Sequence, residues 1–201
     1  MPRIKAGSID EHKALTRRQI LAATRDLLAE TGSADLNLAD VAAIAEIGRT
    51  TIYEYFRDRD DLIASLVEEE LPTVIAGLMA GLGGGGSDER LLRLAELTVE
   101  FVATDPVLGL ILHREVPRLS FEAQDRIRIA HNDLSAAMVG FYLEAVEAGR
   151  FRKMSPDLAG RLIHDVTMSA ARSVIAAPDR LYEVAANLRQ FLAGGFASGS
   201  R

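Results

Sequence analysis

The sequence predicts an all-α fold, with a three-helix N-terminal module at residues 1–60 and a larger helical domain at residues 61–201. Three observations predict it. Apolar residues recur at the three- and four-residue spacing of helix faces along most of the chain. Start and stop signals for helices fall between those faces. At 201 residues the chain exceeds the roughly 100 to 150 residues most common for one domain, so either one large domain or one domain plus a small module is expected.

The elements follow in order. Ile20, Thr24, Leu27, Leu28 and Thr31 share one face of a first helix, and Gly32 is placed to end it. Asn37 is the expected cap of a second helix, with Asp40 three positions on, where a carboxylate can reach back to the cap and favours the positive helix end. Val41, Ala42 and Ala45 give that helix a face of small side chains. After Glu46-Ile47-Gly48 a second short helix is expected over Arg49–Tyr55, capped by Gly48, with Ile52 and Phe56 buried and Arg49, Thr50, Thr51, Tyr53 and Tyr55 outward or at the rim. A fourth helix is expected from Asp60 through Met79. Pro72 inside it predicts either a kink or a new start. "GLGGGGSDE" then reads as a loop, and further helices are expected over Glu89–Ala103, Pro106–Arg114, Ser120–Ala148, Pro156–Ala176 and Arg180–Ala193. The long helix through Ile127, His131, Leu134, Met138, Tyr142 and Ala145 carries a continuous inward stripe.

Composition narrows the function classes. A 48% hydrophobic content supplies a core, and the absence of cysteine excludes disulfides and thiolate metal sites. No run approaches the ~20 apolar residues of a membrane span, and "MPRIKAGSIDEHK" lacks the apolar core of a signal peptide, so a cytoplasmic protein is expected. A net charge of −6 argues against indiscriminate polyanion binding. Residues 1–25 nevertheless hold six basic against two acidic residues, and the balance turns to nine against eleven by residue 63. Any nucleic-acid surface is therefore a local face.

Such a face has a physical rationale in "VAAIAEIGRTTIYEYF", Val41 to Phe56. Two short helices braced by a third form a helix-turn-helix whose second helix can enter the DNA major groove by its N-terminal end. Arginine there can pair bidentately with guanine, threonine offers a hydroxyl or a methyl, and tyrosine hydroxyls reach phosphates. A bundle corner with merely solvated polar residues is the alternative on pattern alone.

The stretch from Arg17 to Val67, above all "TTIYEYFRDRDDL", resembles the TetR family of bacterial transcriptional regulators. The resemblance implies base or groove contacts for Arg49, Thr50 and Thr51 and phosphate contacts for Tyr53, Tyr55 and Arg59. Arg17 and Arg18 in the basic N-terminal stretch and Gly48 in the turn complete the expected double-stranded-DNA-binding set. Glu46 stands where the family usually has glycine, Gly48 where it often has serine, and Leu38 where it often has a phosphate-contacting threonine. The resemblance further implies a C-terminal helical ligand-binding and dimerisation domain, and hence a ligand-responsive repressor of a palindromic operator.

The stretch "DLAGRLIHDVTMSAARSVIAA" is apolar on more than one side, and a homodimer through the last two helices, as in the resembled family, is expected, the alternative being a fully internal helix of a monomer. His113, His131, Met138, Tyr142 and His164 are the expected lining of a largely apolar effector pocket. The histidines have no metal-ligand spacing, and "GLGGGGS" lacks the lysine and hydroxyl of a phosphate loop, so no metal, cofactor or catalytic residue is expected. The competing reading from another class is a helical carrier of small apolar ligands without sequence-specific DNA binding.

Overall fold

The computed structural model describes residues 6–31 and 36–198, all side chains from residue 9 onward included. Among the described residues eight α-helices follow one another: α1 (Ala6–Thr31), α2 (Leu38–Ile44), α3 (Arg59–Ala80), α4 (Ser87–Thr104), α5 (Pro106–Leu110), α6 (Phe121–Glu147), α7 (Pro156–Ala176) and α8 (Leu181–Phe196). Between α2 and α3 lies a single 3-10 turn, Thr51–Glu54, and between α5 and α6 a π-helical turn, Ile111–Glu115, runs into a 3-10 turn, Val116–Arg118. Among the described residues the sole extended pairing is an isolated bridge between Phe151 and Ala197.

The chain forms two compact units. The first comprises Met1–Glu69 and Leu110–Ile127, and the second Glu70–Gly109 and Arg128–Arg201. The first unit therefore extends past residue 60 and recruits a segment remote in sequence. The reason is visible at the start of α3, whose charged residues meet partners from Glu115 to Arg126.

The core of the first unit is built from Ile20, Leu28, Leu38, Val41, Ile52, Phe56, Leu62 and Leu66. Thr24 sits among them because its hydroxyl donates to the Ile20 carbonyl one turn back (2.7 Å), which satisfies it internally. Thr31 follows the same pattern with the Leu27 carbonyl (2.8 Å) but is exposed, so the apolar face ends one turn earlier than expected. Gly32 lies outside the described residues. Asn37 caps α2 as expected: its Oδ1 accepts from the Asp40 NH (3.0 Å) and its side-chain amide donates to the Asp40 carboxylate.

In the second unit α4 packs against both α7 and α8. Its buried face is Leu91, Leu94, Ala95, Thr98, Val99 and Val102, and Asp88 and Glu89 occupy its first turn, where the helix dipole favours them. The inward stripe of α6 is present, with Leu134, Met138, Tyr142 and Ala145 buried and His131 half-buried. α3 runs unbroken through Pro72, so no new helix starts there. The glycine run after it contains two residues, Gly83 (φ +68°) and Gly85 (φ +143°), whose backbone favours glycine. No described helix is long and apolar enough to cross a membrane.

Candidate nucleic-acid interface

The candidate DNA-facing segment is set by how α2 ends. The Ile47 NH donates to the Ala42 carbonyl (3.0 Å) and the Glu46 NH to the Ala43 carbonyl (3.2 Å). These are the two bonds of a Schellman closure, which requires a left-handed residue between them. That residue is Glu46, at φ +54°. The same closure ends α6, where the Arg150 NH reaches the Ala145 carbonyl (2.9 Å) and the Gly149 NH the Val146 carbonyl (3.0 Å), with Gly149 at φ +71°. One closure thus uses the residue type the geometry favours, and the other does not. Leu38, the third departure from the family pattern, is buried in the core.

The expected helix over Arg49–Tyr55 is shortened to one 3-10 turn, Thr51–Glu54, preceded by a turn at Arg49 and Thr50. Thr50, Thr51 and Ile52 are consecutive β-branched residues, which disfavour an α-helical start. The segment also needs only one turn to bury both Ile52 and Phe56, at 0% and 1% exposure, and short pieces suit 3-10 geometry. Gly48 is not the cap; its carbonyl accepts from the Thr51 NH (2.9 Å), and a Cβ at Gly48 would meet the Thr51 Oγ1 at 3.1 Å. Arg49, Thr50, Tyr53 and Glu54 are exposed, whereas Thr51 and Tyr55 sit at the rim.

A second group adjoins the turn from α1. The Arg17 guanidinium stacks over the Phe56 ring, 5.2 Å from its centroid. Its Nη1 is shielded from solvent with no hydrogen-bond partner. Arg17, Lys13 and Ala14 face Glu54 and Tyr55 across a depression of about 270 Å³. An unsatisfied guanidinium nitrogen beside an ammonium and a phenol can take an anion such as a backbone phosphate, with the Glu54 carboxylate at the edge of the same depression. Sequence reasoning omitted Lys13, although its spacing of four from Arg17 puts both on one helix face. Arg18 is exposed, its Nε 3.4 Å from the Ala14 carbonyl.

Arg59 stands apart from this group. Its guanidinium contacts Glu115, whose side chain is 1% exposed, and approaches Asp60 at 3.7 Å. The expected phosphate contact is thus engaged within the protein. Glu115 itself was invisible to sequence reasoning because its partner lies 56 positions away.

The expected effector residues separate. His113 is half-buried on the π-helical turn of the first unit, and the other four belong to the second. There the His131 and His164 rings stand edge to face, 5.9 Å apart, and His131 Nδ1 lies 3.3 Å from Ser135 Oγ. Met138 and His164 line an open depression between α6 and α7, with Ser135, Val139, Pro156 and Gly160. Tyr142 is engaged within the fold. It is fully buried, its hydroxyl donates to the Arg152 carbonyl (3.0 Å) and accepts from the Met154 NH (2.9 Å), and its ring packs on Phe151 and Phe196. It secures the corner between α6 and α7.

Comparison with known proteins gives matches over both parts of the chain. Residues 20–66 match the family model described as bacterial regulatory proteins, tetR family, and residues 84–172 match the tetracyclin repressor-like C-terminal domain. The fatty acid metabolism regulator protein of Bacillus subtilis (strain 168) is 21% identical over 136 residues, covering 67% of this chain and 70% of that protein. The structure of the fatty acid degradation regulator FadR from Bacillus halodurans superposes with a TM-score of 0.77 at 21% identity, covering 90% of this chain and 95% of the other. The transcriptional regulator FadR from Bacillus subtilis, solved in complex with stearoyl-CoA, gives 0.77 at 19% identity, covering 89% and 98%. The shared fold reaches across both compact units.

Proposed function

The chain belongs to the tetR family of bacterial regulatory proteins and is a transcriptional regulator, and from that premise we propose that it is a cytoplasmic, ligand-responsive repressor binding a palindromic operator as a homodimer. The observation that carries the DNA reading is the exposed set Arg49, Thr50 and Tyr53, held out by a turn whose Ile52 and Phe56 are sunk in the core. Arg49 and Thr50 read base edges, Thr51 supports them from the rim, and Tyr53, Tyr55, Arg17, Lys13 and Arg18 take phosphates on either side. Its role is binding, without catalysis.

The homodimer reading is supported by the outer faces of the last two helices. Leu158 and Leu162 on α7 and Tyr182 and Phe191 on α8 are between 40% and 87% exposed. Small residues, Ser169 and Ser173 on α7 and Ala186 and Gly194 on α8, are exposed as well and permit close helix approach. Two-fold symmetry of the protein would then match two-fold symmetry of the operator.

The effector class we assign is a small molecule with a large apolar part, with long-chain acyl thioesters the first candidates because the relatives named above are fatty-acid regulators and one was solved with stearoyl-CoA. Met138, Val139 and Pro156 offer an apolar surface between α6 and α7, with His164 and Arg161 beside it. The test is direct: stearoyl-CoA added to the protein on its selected operator should dissociate the complex, and unchanged operator affinity at saturating thioester removes that effector class.

A further inference from the structure

Glu115 places a carboxylate where only 1% of its side chain meets solvent. An ionised carboxylate in such a position needs cations beside it. Arg59, the first residue of α3, is in contact with it, and Arg118 stands at 3.5 Å. Arg59 leaves the reading turn three residues after Phe56, and 28% of its side chain is exposed.

The pair is not needed to fasten the two segments, because several others do so. Arg126 of α6 grips α3 through Glu68 (2.9 and 2.6 Å), Asp61 (2.6 Å) and Ser65 (3.0 Å). The Ser120 NH donates to Asp60 (2.7 Å), and Arg57 pairs with Glu122 (2.7 Å). Against that background, what Glu115 adds is control of one guanidinium. It does so from the last residue of a π-helical turn, a rare form that recurs at functional positions.

We propose that Glu115 withholds Arg59 from the DNA backbone, standing in for a phosphate within the protein. A carboxylate and a phosphate offer a guanidinium N–H the same kind of acceptor oxygen, and the Nη2 of Arg59 that donates to Glu115 serves one or the other. A carboxylate fixed in the fold competes at the high effective concentration of an intramolecular partner. Glu115 thereby limits how many cations the module gives to DNA, and displacing the turn Ile111–Glu115 releases one more. The inference rests on the DNA-binding reading and adds a positioning residue to it.

The test uses full-length protein and a random-sequence duplex, with binding followed by anisotropy across a salt series. Glu115→Gln keeps the side-chain shape and removes its charge. It should bind about three- to tenfold tighter at low salt, and its plot of log affinity against log salt should steepen by about 0.9 for each protomer bound, the signature of one added phosphate contact. The double variant Glu115→Gln with Arg59→Gln should lose both gains, while Arg118→Ala should leave the slope at its wild-type value. Should Glu115→Gln fail to fold by circular dichroism, Glu115→Asp, which retracts the carboxylate, carries the test with a smaller steepening. A folded Glu115→Gln protein with the wild-type slope, or a double variant that keeps the gain, overturns the inference alone. Wild-type protein that binds no duplex at low salt overturns the DNA-binding reading beneath it.

Discussion

Replacing Glu46 with glycine should stabilise the protein. Glu46 holds φ +54° in the closure that ends α2, a conformation that costs a residue with a Cβ about 1–2 kcal/mol. Glycine removes that cost but returns about 0.4–1 kcal/mol to the unfolded chain through its greater freedom. The net gain is roughly 0.5–1 kcal/mol. A carboxylate next to the C-terminal end of a helix adds a further unfavourable ~0.3–1 kcal/mol at low ionic strength, and this part fades with salt. Glu46→Ala removes the charge and keeps the Cβ, so it should recover only the salt-sensitive part. Gly149→Ala at the matching position after α6, φ +71°, should run the other way and destabilise by about 1 kcal/mol. Urea unfolding at low and high salt reads all three, and a gain of 1 kcal/mol should appear as a rise of about 2–4 °C in Tm for a chain of this size. Glu46→Gly no more stable than Glu46→Ala at high salt would refute the reasoning.

Three other outcomes are expected. Arg49→Ala should cost about 1–3 kcal/mol on the selected operator and far less on random duplex, measured by competition binding; equal losses on both would remove Arg49 from base reading. Leu162→Glu, on the outer face of α7 where Leu162 is 40% exposed, should yield a folded monomer by sedimentation, whereas Ala171→Glu, at 0% exposure, should unfold the second unit. Asp61 is pushed up by burial, but the Arg57 NH and the Arg126 guanidinium outweigh that and hold its carboxyl below the usual value of 3.8. A depressed folded pKa contributes stability that is present above the unfolded value and lost as pH falls through the folded one, so acid unfolding below about pH 4 should be less steep in Asp61→Asn than in wild type.

Local signals were legible wherever a few neighbouring residues decide the outcome. Pro156 and the preceding loop give α7 the bounds expected from sequence, and the Asn37 cap gives α2 its expected start, although Ala45, expected on its face, is the C-cap. The anomaly at Glu46 was legible as a departure from glycine, and the backbone bears the strain that departure implies. Orientation was less accessible. α7 is amphipathic, with Ala159, Ile163, Thr167, Ala171 and Val174 inward, so Ala171 belongs to the core and Leu158 and Leu162 to the outer face. Periodicity could not assign those faces, because alanine, serine and leucine occur on both. The candidate site divides on the same principle. Exposure of Arg49, Thr50 and Tyr53 follows from Ile52 and Phe56 being buried, a local relation. The pairing of Arg59 with Glu115 and of Arg126 with Asp61 and Glu68 joins residues 56 to 65 positions apart, which no local pattern encodes. The hydroxyl bonds of Tyr142 show the same limit, because a buried tyrosine on an apolar stripe looks the same in sequence whether its hydroxyl meets a ligand or the backbone at Arg152 and Met154.

In the proposed function the turn Thr51–Glu54 and its flanks read DNA sequence, two copies at a time. Repeated selection of bound fragments from a random duplex pool by the purified full-length protein tests it most directly. The account predicts enrichment of one inverted repeat, with half-sites about one helical turn apart or a simple multiple of that, and loss of the enrichment with Arg49→Ala. A pool that stays random after successive rounds, from protein that is folded and retains ligand binding, would contradict it and favour a carrier of apolar ligands.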